Sequence, residues 1–425
     1  MPISKLCNFC AILALIVFDL AIASAEDWTE FRGPRGDGRA LATGFPQQWS
    51  EDEHVGWKVD LPGVGWASPV VAKNRIYLAD AIVTAAKGDL PQKTILAAHC
   101  LAADTGKILW TKELFEQIPG PPAEHHGSNS DASSTPVLEG DRLYVHFGNQ
   151  GTACLTTVGE LVWTNREQNY LPQHGNGGSP VVFEDLLIFC CDGRDIQFVT
   201  ALDKATGQSR WKVDRDVKPK RGFSFCTPLI IQVAGQPQAI CPGSSAVYAY
   251  HPRTGAEIWR VLYGDGYSVV PRPVAGPNTI YLCTGFDNAS LLAIDPGGQG
   301  DVTETHIRWR KDDKIPKTPS LLLSGDELYF VNDSGIAGCL DANTGKEHWV
   351  HRVAGEYWAS PLFADGKIYL QNKLGAGTVL RAGKAFEELS VNQLGDGTER
   401  SYASYGVIDN SLLIRTEHHL YRINP

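Results

Sequence analysis

The sequence lacks the features that mark membrane-spanning, nucleic-acid-binding and helical proteins. Beyond residue 25, no stretch approaches the roughly 18 uninterrupted apolar residues that a membrane-spanning helix needs. Acidic residues outnumber basic ones, with 48 Asp and Glu against 38 Lys and Arg, and the basic residues form no runs. This balance argues against nucleic acid and anionic membrane surfaces as partners. No segment shows sustained helical periodicity, so the chain is expected to be built from strands.

Motifs of nucleophilic, metal and nucleotide chemistry are missing as well. The sequence contains neither G-x-S-x-G nor H-E-x-x-H, and its paired glycines sit in turns between strands and open no helix. A carbohydrate-cleaving enzyme would need two carboxylates facing each other across a substrate, which no pattern here specifies. No motif therefore supports a catalytic assignment.

Cysteine is present, but not in a pattern that implies shared chemistry. The arrangement C-x-x-C-H is absent, which excludes covalent haem. The eight cysteines that follow residue 25 lie in predicted strands and form no C-x-x-C pair. We interpret most of them as small buried core residues.

The N-terminus has the organisation of a secretory signal peptide. Lys5 precedes an apolar run over 11–23, and the small residues ASA (23–25) end it. Cleavage after Ala25 would leave residues 26–425 as a periplasmic or secreted protein. Neither Cys7 nor Cys10 follows the apolar run, so no lipid anchor is predicted at the cleavage site.

What the sequence does contain is a repeated unit. In five segments a glycine precedes a tryptophan by four residues, and recurrence at a fixed spacing is the signature of a repeat architecture. The segments are LAADTGKILW (101–110), TTVGELVW (156–163), LDKATGQSRW (202–211), YHPRTGAEIW (250–259) and LDANTGKEHW (340–349).

The residues around this motif predict a four-stranded unit. Each unit is expected to open with Ser or Thr before Pro, followed by alternating apolar residues, as in SPVVAKNRIYL (68–78) and SPLFADGKIYL (360–370). The glycine supplies the positive φ that the turn between the third and fourth strands needs. The predicted units span residues 66–114, 130–168, 175–216, 225–263, 268–313, 317–353 and 357–394.

The two ends of the chain complement each other. Residues 401–423 supply three strands without a fourth, and 55–61 supply a lone strand with Trp57. We therefore predict one all-β domain over 26–425, an eight-bladed β-propeller of four-stranded antiparallel blades, closed when the N-terminal strand joins the C-terminal blade. The tryptophans are expected to wedge between neighbouring blades.

The repeat A-x-D-x-x-T-G-x-x-x-W resembles that of the PQQ-like repeat propellers, and the resemblance covers residues 28–425. The segment WTEFRGPRGDG (28–38) also resembles the N-terminus of exported bacterial proteins of this group. One branch, the quinoprotein alcohol dehydrogenases, holds PQQ and Ca²⁺ on the ring axis. The other branch is non-catalytic and includes the BamB-type barrel-assembly lipoproteins. The present chain is shorter than the dehydrogenases and has no BamB-type anchor cysteine.

The resemblance implies a binding role. We expect a non-catalytic scaffold without a cofactor, which holds a segment of an envelope or extracellular protein, or a small ligand, at the mouth of the axial channel. The alternative is a PQQ- and Ca²⁺-dependent dehydrogenase of alcohols or sugars. Fold alone does not choose between them, because a propeller hosts many functions.

Candidate ligand-binding residues are expected in the loops that surround one mouth of the channel. These loops carry polar and aromatic side chains of the kind a small-molecule or peptide site needs, although Asn, Asp and Gly are also favoured in turns for their geometry alone. The candidates are His125, His126, Asn129, Asp131, His174, Asn176, Asp192, Arg194, Asp195, Lys317 and Trp358.

Some of these residues would have special roles in the alternative function. Ca²⁺ would be held by Asp192, Asp195, Asn129 or Asn176, the quinone would contact Arg194 or Lys317, and Trp358 would form its floor. The histidines at 125, 126 and 174 with Asp192 offer nitrogen and oxygen ligands, but their spacing selects no metal, and no metal is expected. Cys190 and Cys191 are adjacent, as in the dehydrogenase disulfide, yet such a bridge requires strained backbone.

Overall fold

The structure, a computed structural model, describes residues 26–84, 92–117 and 126–425. The predicted signal peptide (1–25) and His125 lie outside these residues. The described residues form eight sheets, each an antiparallel meander of four strands, and one sheet carries a fifth strand. The predicted all-β, eight-bladed propeller is therefore confirmed. No helical segment in this part of the chain has the length and apolarity to cross a membrane.

Strand β1 (Val55–Asp60) belongs to the last blade, and blades one to four follow it along the chain. Blade one contains β2 (Val70–Ala72), β3 (Arg75–Val83), β4 (Thr94–Ala102) and β5 (Ile108–Glu116). Blade two contains β6 (Val137–Glu139), β7 (Arg142–His146), β8 (Thr152–Thr156) and β9 (Leu161–Asn165), with a 3-10 turn at Gly148–Gln150. Blade three contains β10 (Val181–Phe183), β11 (Leu186–Asp192), β12 (Gln197–Asp203) and β13 (Ser209–Asp214). Blade four contains β14 (Leu229–Val233), β15 (Gln236–Pro242), β16 (Ala246–Tyr250) and β17 (Glu257–Leu262).

Blades five to eight complete the ring. Blade five contains β18 (Val274–Gly276), β19 (Thr279–Cys283), β20 (Leu291–Ile294) and β22 (Ile307–Lys311), with β21 (Gly300–Asp301) and helix α1 (Thr303–His306) inserted before β22. Blade six contains β23 (Leu322–Ser324), β24 (Glu327–Val331), β25 (Ile336–Asp341) and β26 (Glu347–Arg352). Blade seven contains β27 (Leu362–Ala364), β28 (Lys367–Gln371), β29 (Ala376–Arg381) and β30 (Glu388–Gln393). Blade eight contains β31 (Gly406–Ile408), β32 (Ser411–Arg415) and β33 (His419–Ile423).

The ring is closed by the first strand. β1 pairs antiparallel with β33, so blade eight has the order β1-β33-β32-β31 and takes its outermost strand from the other end of the chain. The innermost strand of blade eight, β31, neighbours β2 of blade one, and β2 in turn neighbours β6. These contacts confirm the predicted closure.

The tryptophans of the repeat join most blades to the next one. The indole N–H of Trp163 on β9 donates to the carbonyl of Lys204 in blade three, at 3.0 Å. The ring of Trp163 lies against Gly207, where a Cβ would come within 2.5 Å of it and where φ is +74°. The glycine is therefore needed both for the turn and for the close approach of the ring. The same contact joins Trp57 to Gly106, Trp110 to Gly159, Trp211 to Gly255 and Trp309 to Gly345.

The insertion in blade five alters this pattern. It displaces the expected glycine. The indole of Trp259 in blade four instead donates to Gln238 Oε1 at 2.9 Å. Gln238 Nε2 in turn donates to the carbonyl of Pro296 in the insertion at 3.2 Å. The inserted strand β21 then pairs in parallel with β17 as a fifth strand of blade four. The insertion therefore replaces one kind of inter-blade contact with another.

The cysteines occupy the core, as the sequence suggests. All eight are free thiols, and seven of them are buried while Cys190 is half-buried. The side chains of Cys100, Cys154 and Cys339 belong to three different apolar clusters of the ring. They fill space between blades in the manner of small apolar residues.

Candidate functional site

A ring of hydroxyl groups lines one mouth of the axial channel. In five blades the innermost strand is preceded by Ser or Thr and then Pro. The expectation that every unit opens in this way is wrong in three blades: blade five has Arg272 before Pro, blade six has Ser320 before Leu321, and blade eight has Ser404 before Tyr405. The equivalent positions around the ring are Ser68, Thr135, Ser179, Thr227, Arg272, Ser320, Ser360 and Ser404.

These hydroxyls accept hydrogen bonds from the neighbouring blade. The backbone N–H of Ser68 donates to Thr135 Oγ1, that of Thr135 to Ser179 Oγ and that of Ser179 to Thr227 Oγ1, over 2.9–3.0 Å. On the other side, the N–H groups of Arg272, Ser320 and Ser360 donate to the next hydroxyl over 2.9–3.1 Å. The Ser/Thr positions therefore hold adjacent blades in register at the mouth.

The segment before β1 crosses the channel beneath this ring. The carbonyl of Trp28 accepts from the N–H of Val71 in blade one at 2.7 Å, and that of Thr29 accepts from Leu138 in blade two at 2.8 Å. Further along, the N–H of Phe363 in blade seven donates to the carbonyl of Gly38 at 2.8 Å. Residues 28–40 thus pair with the innermost strands of blades one, two and seven and close the channel from below.

Two buried arginines fix the middle of that segment. Arg272 donates through Nη1 to Glu30 Oε1 at 3.0 Å and to the carbonyl of Phe31 at 2.7 Å. Arg32 donates to the carbonyl of Leu321 at 2.5 Å. Burial lowers the pKa of Arg32 to about 9, and it raises the pKa of Glu30 in spite of Arg272. Apart from the family resemblance of residues 28–38, no sequence pattern predicted a role for these residues.

Above Phe31 the mouth opens into a pocket of about 980 Å³. One wall consists of Trp66, Tyr402 and Trp358, in which Tyr402 lies 4.6 Å from each indole ring, centroid to centroid. Lys373 lies over the Trp358 ring at 4.4 Å, and Arg400 over the Trp66 ring at 5.6 Å. The cations hold the aromatic wall from behind by cation–π contacts.

The opposite wall is aromatic and basic. Phe223 contacts Tyr267 at 5.4 Å and Phe225 at 6.1 Å, measured between ring centroids. Four cations, Arg194, Lys218, Lys220 and Arg221, line the same pocket, whereas Asp195 is the one carboxylate among its described lining residues. The pocket is therefore positive in a chain whose net charge is −10.

Two histidines connect the walls. The rings of His126 and His174 meet edge to face at 5.5 Å, and His174 also contacts Phe223 at 5.2 Å. The backbone of His174 is left-handed (φ +66°), and its carbonyl accepts from Asn129 Nδ2 at 2.8 Å. Burial, and then the neighbouring His126, lowers the pKa of His174.

The structure brings six of the predicted site residues to this pocket and leaves four elsewhere. Lining the pocket are His126, Asn129, His174, Arg194, Asp195 and Trp358. Lys317 lies instead at a neighbouring cavity of about 460 Å³ between blades five and six. Asp131 accepts from Gln117 at 2.7 Å. Asn176 accepts from Tyr170 and donates to the carbonyl of Phe147. Asp192 lies in a buried ion pair with Arg215.

Sequence reasoning missed the basic lip formed by Lys218, Lys220 and Arg221. Its signal was available, because KPKR (218–221) lies between the last strand of blade three and the first strand of blade four, in a loop of the kind expected at the mouth. Trp66 and Tyr402 were also missed, although each precedes a ring hydroxyl by two residues, as Trp358 does.

The residues proposed for Ca²⁺ do not form a calcium site. Asp192 is engaged by Arg215, and the side chains of Asn129 and Asn176 are committed to protein partners. In the part of the chain that the structure describes, no three His, Cys, Asp or Glu side chains lie close enough to hold a metal. Of the proposed set, Asn129 and Asp195 line the pocket, and Asn129 donates there to the carbonyl of His174.

The adjacent cysteines are separate thiols on β11. Cys191 is fully buried, whereas Cys190 Sγ accepts a hydrogen bond from Arg215 Nη2 at 3.4 Å. Contact with Cys241, and then burial, raises the pKa of the Cys190 thiol well above its usual value. Neither group has the lowered pKa of a reactive cysteine.

Solved structures share this fold at low sequence identity. BamB from Moraxella catarrhalis aligns with a TM-score of 0.60 and 12% identity, over 87% of this chain and 96% of that one. A europium-containing methanol dehydrogenase aligns with a TM-score of 0.63 and 12% identity, over 92% and 89%. At such identities the likeness concerns the fold alone.

Sequence comparison, unlike the comparison of folds, points to one family. A curated relative, the outer membrane protein assembly factor BamB of Legionella pneumophila (strain Paris), is 26% identical over 133 residues, which cover 29% of this chain and 32% of the relative. The chain thus matches about a third of that relative's length. The model of the family described as outer membrane protein assembly factor BamB matches residues 51–224, 93–337 and 243–390. Because these overlapping matches cover most of the propeller, the chain belongs to this family of PQQ-like repeat proteins.

Proposed function

We propose that the protein is a non-catalytic binding scaffold of the cell envelope, whose axial pocket holds a segment of a partner protein or a small ligand. The observation that supports this most directly is the form of the pocket. It is concave and combines aromatic rings with hydroxyl and basic groups, it is open at one mouth, and it is closed below by residues 28–40. A concave cavity that joins aromatic surface to convergent polar groups is typical of binding sites.

The relatives support the same proposal. Two of them are named for the assembly of outer membrane proteins or carry the BamB name, and that name implies protein partners in the envelope. The predicted signal peptide agrees with this location. We therefore expect the partner to be an envelope or extracellular protein.

Site-specific photo-crosslinking in the native host tests this function. A photo-reactive amino acid at Lys220, on the lip of the pocket, is expected to give a defined adduct that mass spectrometry identifies. The same amino acid at Lys346, an exposed lysine in the turn before β26, is the matched control. Adding Trp358→Ala should abolish the adduct at Lys220. Equal adducts at both positions, or none at Lys220, would contradict the proposal.

The alternative is a quinone-dependent dehydrogenase, because the chain shares its fold with a methanol dehydrogenase. His174, Arg194 and Trp358 do face one cavity of sufficient size, but the calcium ligands do not converge there. Titration of residues 26–425 with PQQ, with and without Ca²⁺, is expected to leave the fluorescence of Trp66 and Trp358 unchanged. Saturable, Ca²⁺-dependent quenching would instead favour the dehydrogenase and justify assays with alcohols and sugars.

A further inference from the structure

We propose that the axial pocket selects an acidic peptide segment that carries an aromatic side chain. This inference rests on the proposed function and specifies the chemistry of what the scaffold holds. Three independent features of the described lining support it: the sign of the charge, the unused donors of the hydroxyl groups, and the aromatic wall.

The charge of the pocket opposes that of the protein. Lys218 and Lys220 are exposed on the lip, and neither forms an ion pair with any described residue. The Arg194 side chain likewise has no carboxylate partner in the described part of the chain. Arg221 donates to the hydroxyl of Tyr267 and lies 3.4 Å from Asp287. Cations gathered at a concave mouth attract carboxylates and raise their local concentration.

The hydroxyl ring adds hydrogen-bond donors at fixed positions. The oxygens of Thr135, Ser179, Thr227 and Ser404 already accept a backbone N–H from the neighbouring blade. Their hydroxyl hydrogens have no acceptor among the described residues, and all four groups line the pocket. A hydroxyl has one donor and two acceptor lone pairs, so one that accepts a single backbone N–H keeps its donor for a ligand. The floor therefore favours a ligand rich in acceptors, as a carboxylate is.

The wall of Trp66, Tyr402 and Trp358 supplies the apolar half of the site. Its rings are fixed by contact with one another and by Lys373 and Arg400 behind them. Such a pre-organised surface binds an aromatic side chain with little loss of conformational entropy. A peptide with carboxylates beside an aromatic residue satisfies both halves of the pocket at once.

Calorimetric titration of residues 26–425 with a capped peptide of four aspartates around one phenylalanine tests the inference. Matched peptides replace the aspartates with asparagine or lysine, or the phenylalanine with alanine. The acidic aromatic peptide is expected to bind about tenfold or more tightly than each of the others. Its affinity should also fall as salt is raised, because the lip charges are exposed and screened.

Protein variants place the binding in the pocket. Lys218→Gln with Lys220→Gln should weaken binding of the acidic peptide about three- to tenfold, in the range that exposed ion pairs contribute. Lys107→Gln with Lys346→Gln, at exposed lysines in turns on the other face of the blades, should change nothing. Equal weakening by both pairs would overturn the inference.

The outcomes separate this inference from the proposed function. Equal or tighter binding of the asparagine or lysine peptide overturns the acidic preference and leaves the scaffold function standing. If no peptide binds, but the crosslink from Lys220 still captures a specific partner, the inference fails alone. If neither binding nor the crosslink is observed, both proposals fail.

Discussion

The carboxylate of Asp192 accepts two hydrogen bonds from the guanidinium of Arg215, at 2.8 and 3.1 Å, in a place that solvent does not reach. Arg215 also donates to the carbonyls of Cys241 and Pro242 in the next blade, at 2.8 and 3.3 Å. The pair therefore links blade three to blade four. Asp192 directly follows the adjacent cysteines and was predicted from the sequence to bind a ligand.

Asp192→Asn should damage the fold and spare the binding site. The substitution leaves the Arg215 guanidinium buried without its counter-charge, and the free energy of unfolding should fall by about 3–5 kcal/mol. Urea denaturation measures this loss. Ligand affinity of the folded fraction should match that of the wild type, and a stable variant that has lost its ligand would show that Asp192 is a binding residue after all.

Gly207→Ala should be more harmful than the same change at Gly235, although both glycines have φ between +70° and +80°. A Cβ at Gly207 meets the Trp163 ring at 2.5 Å, whereas one at Gly235 meets nothing within 4 Å. We expect a loss of about 2–4 kcal/mol at Gly207 and about 1 kcal/mol at Gly235, where only backbone strain contributes.

Trp163→Ala provides the complementary measurement and should cost about 3–5 kcal/mol. Combined with Gly207→Ala, it should remove the steric part of the glycine effect. Thermal or urea unfolding of the double variant reports this coupling. If the two losses simply add, the inter-blade contact is not their common cause.

His146 should make stability depend on pH. Its side chain is buried against Phe189, and burial lowers its pKa to about 3. Below pH about 6.5 the His146 imidazole is protonated in the unfolded chain but stays neutral in the folded protein. The contribution of this histidine to the free energy of unfolding is therefore complete above that pH and is lost on acidification. The loss at pH 5 is about 2 kcal/mol.

His146→Gln should flatten the fall in unfolding free energy between pH 6.5 and 4, as measured by urea denaturation across that range. His418→Gln, at an exposed histidine of blade eight, is the control and should leave the slope as it is. An unchanged slope in the His146 variant would assign the acid sensitivity to other groups.

His174 should make ligand affinity depend on pH. Acidification, which lowers the stability of the fold, should here strengthen binding of the ligand. Its pKa is lowered in the free protein, and carboxylates bound in the same pocket favour its charged form. Linkage then requires the acidic peptide to bind about two- to tenfold more tightly at pH 5 than at pH 7. Calorimetry on the wild type and on His174→Asn measures this. Lysine and arginine side chains do not titrate between pH 5 and 7, so the four cations of the pocket do not account for such a change. Weaker binding at pH 5 in the wild type would refute the coupling.

The repeat predicted the fold because its signals are local. Turn glycines, strand alternation and the Ser/Thr-Pro pairs each act within a few residues, and they place nearly every blade. The same signals do not show that Trp163 contacts Gly207 of the following blade and makes no such contact with Gly159 of its own turn. Four residues of sequence separation reflect the hairpin, whereas the contact depends on how the blades are stacked.

The candidate site was harder to predict, because it depends on distant pairings. Asp192 was predicted to face the mouth of the channel, but it is paired with Arg215, which follows the next strand but one. No local pattern indicates this pairing. Residues 28–40 carry no strand pattern, yet they meet inner strands of several blades. The lip at 218–221 is a short basic stretch in an acidic chain, and its significance depends on the aromatic wall across the pocket.

Closure of the ring by β1 and β33 also governs when the molecule can become complete. The first strand has no partner in its sheet until the last one is present, so this pairing joins segments that lie almost the whole chain apart. Contacts of such sequence separation form slowly. During synthesis the early blades must therefore persist with an unmatched edge, and the finished ring is assembled only at the end of the process.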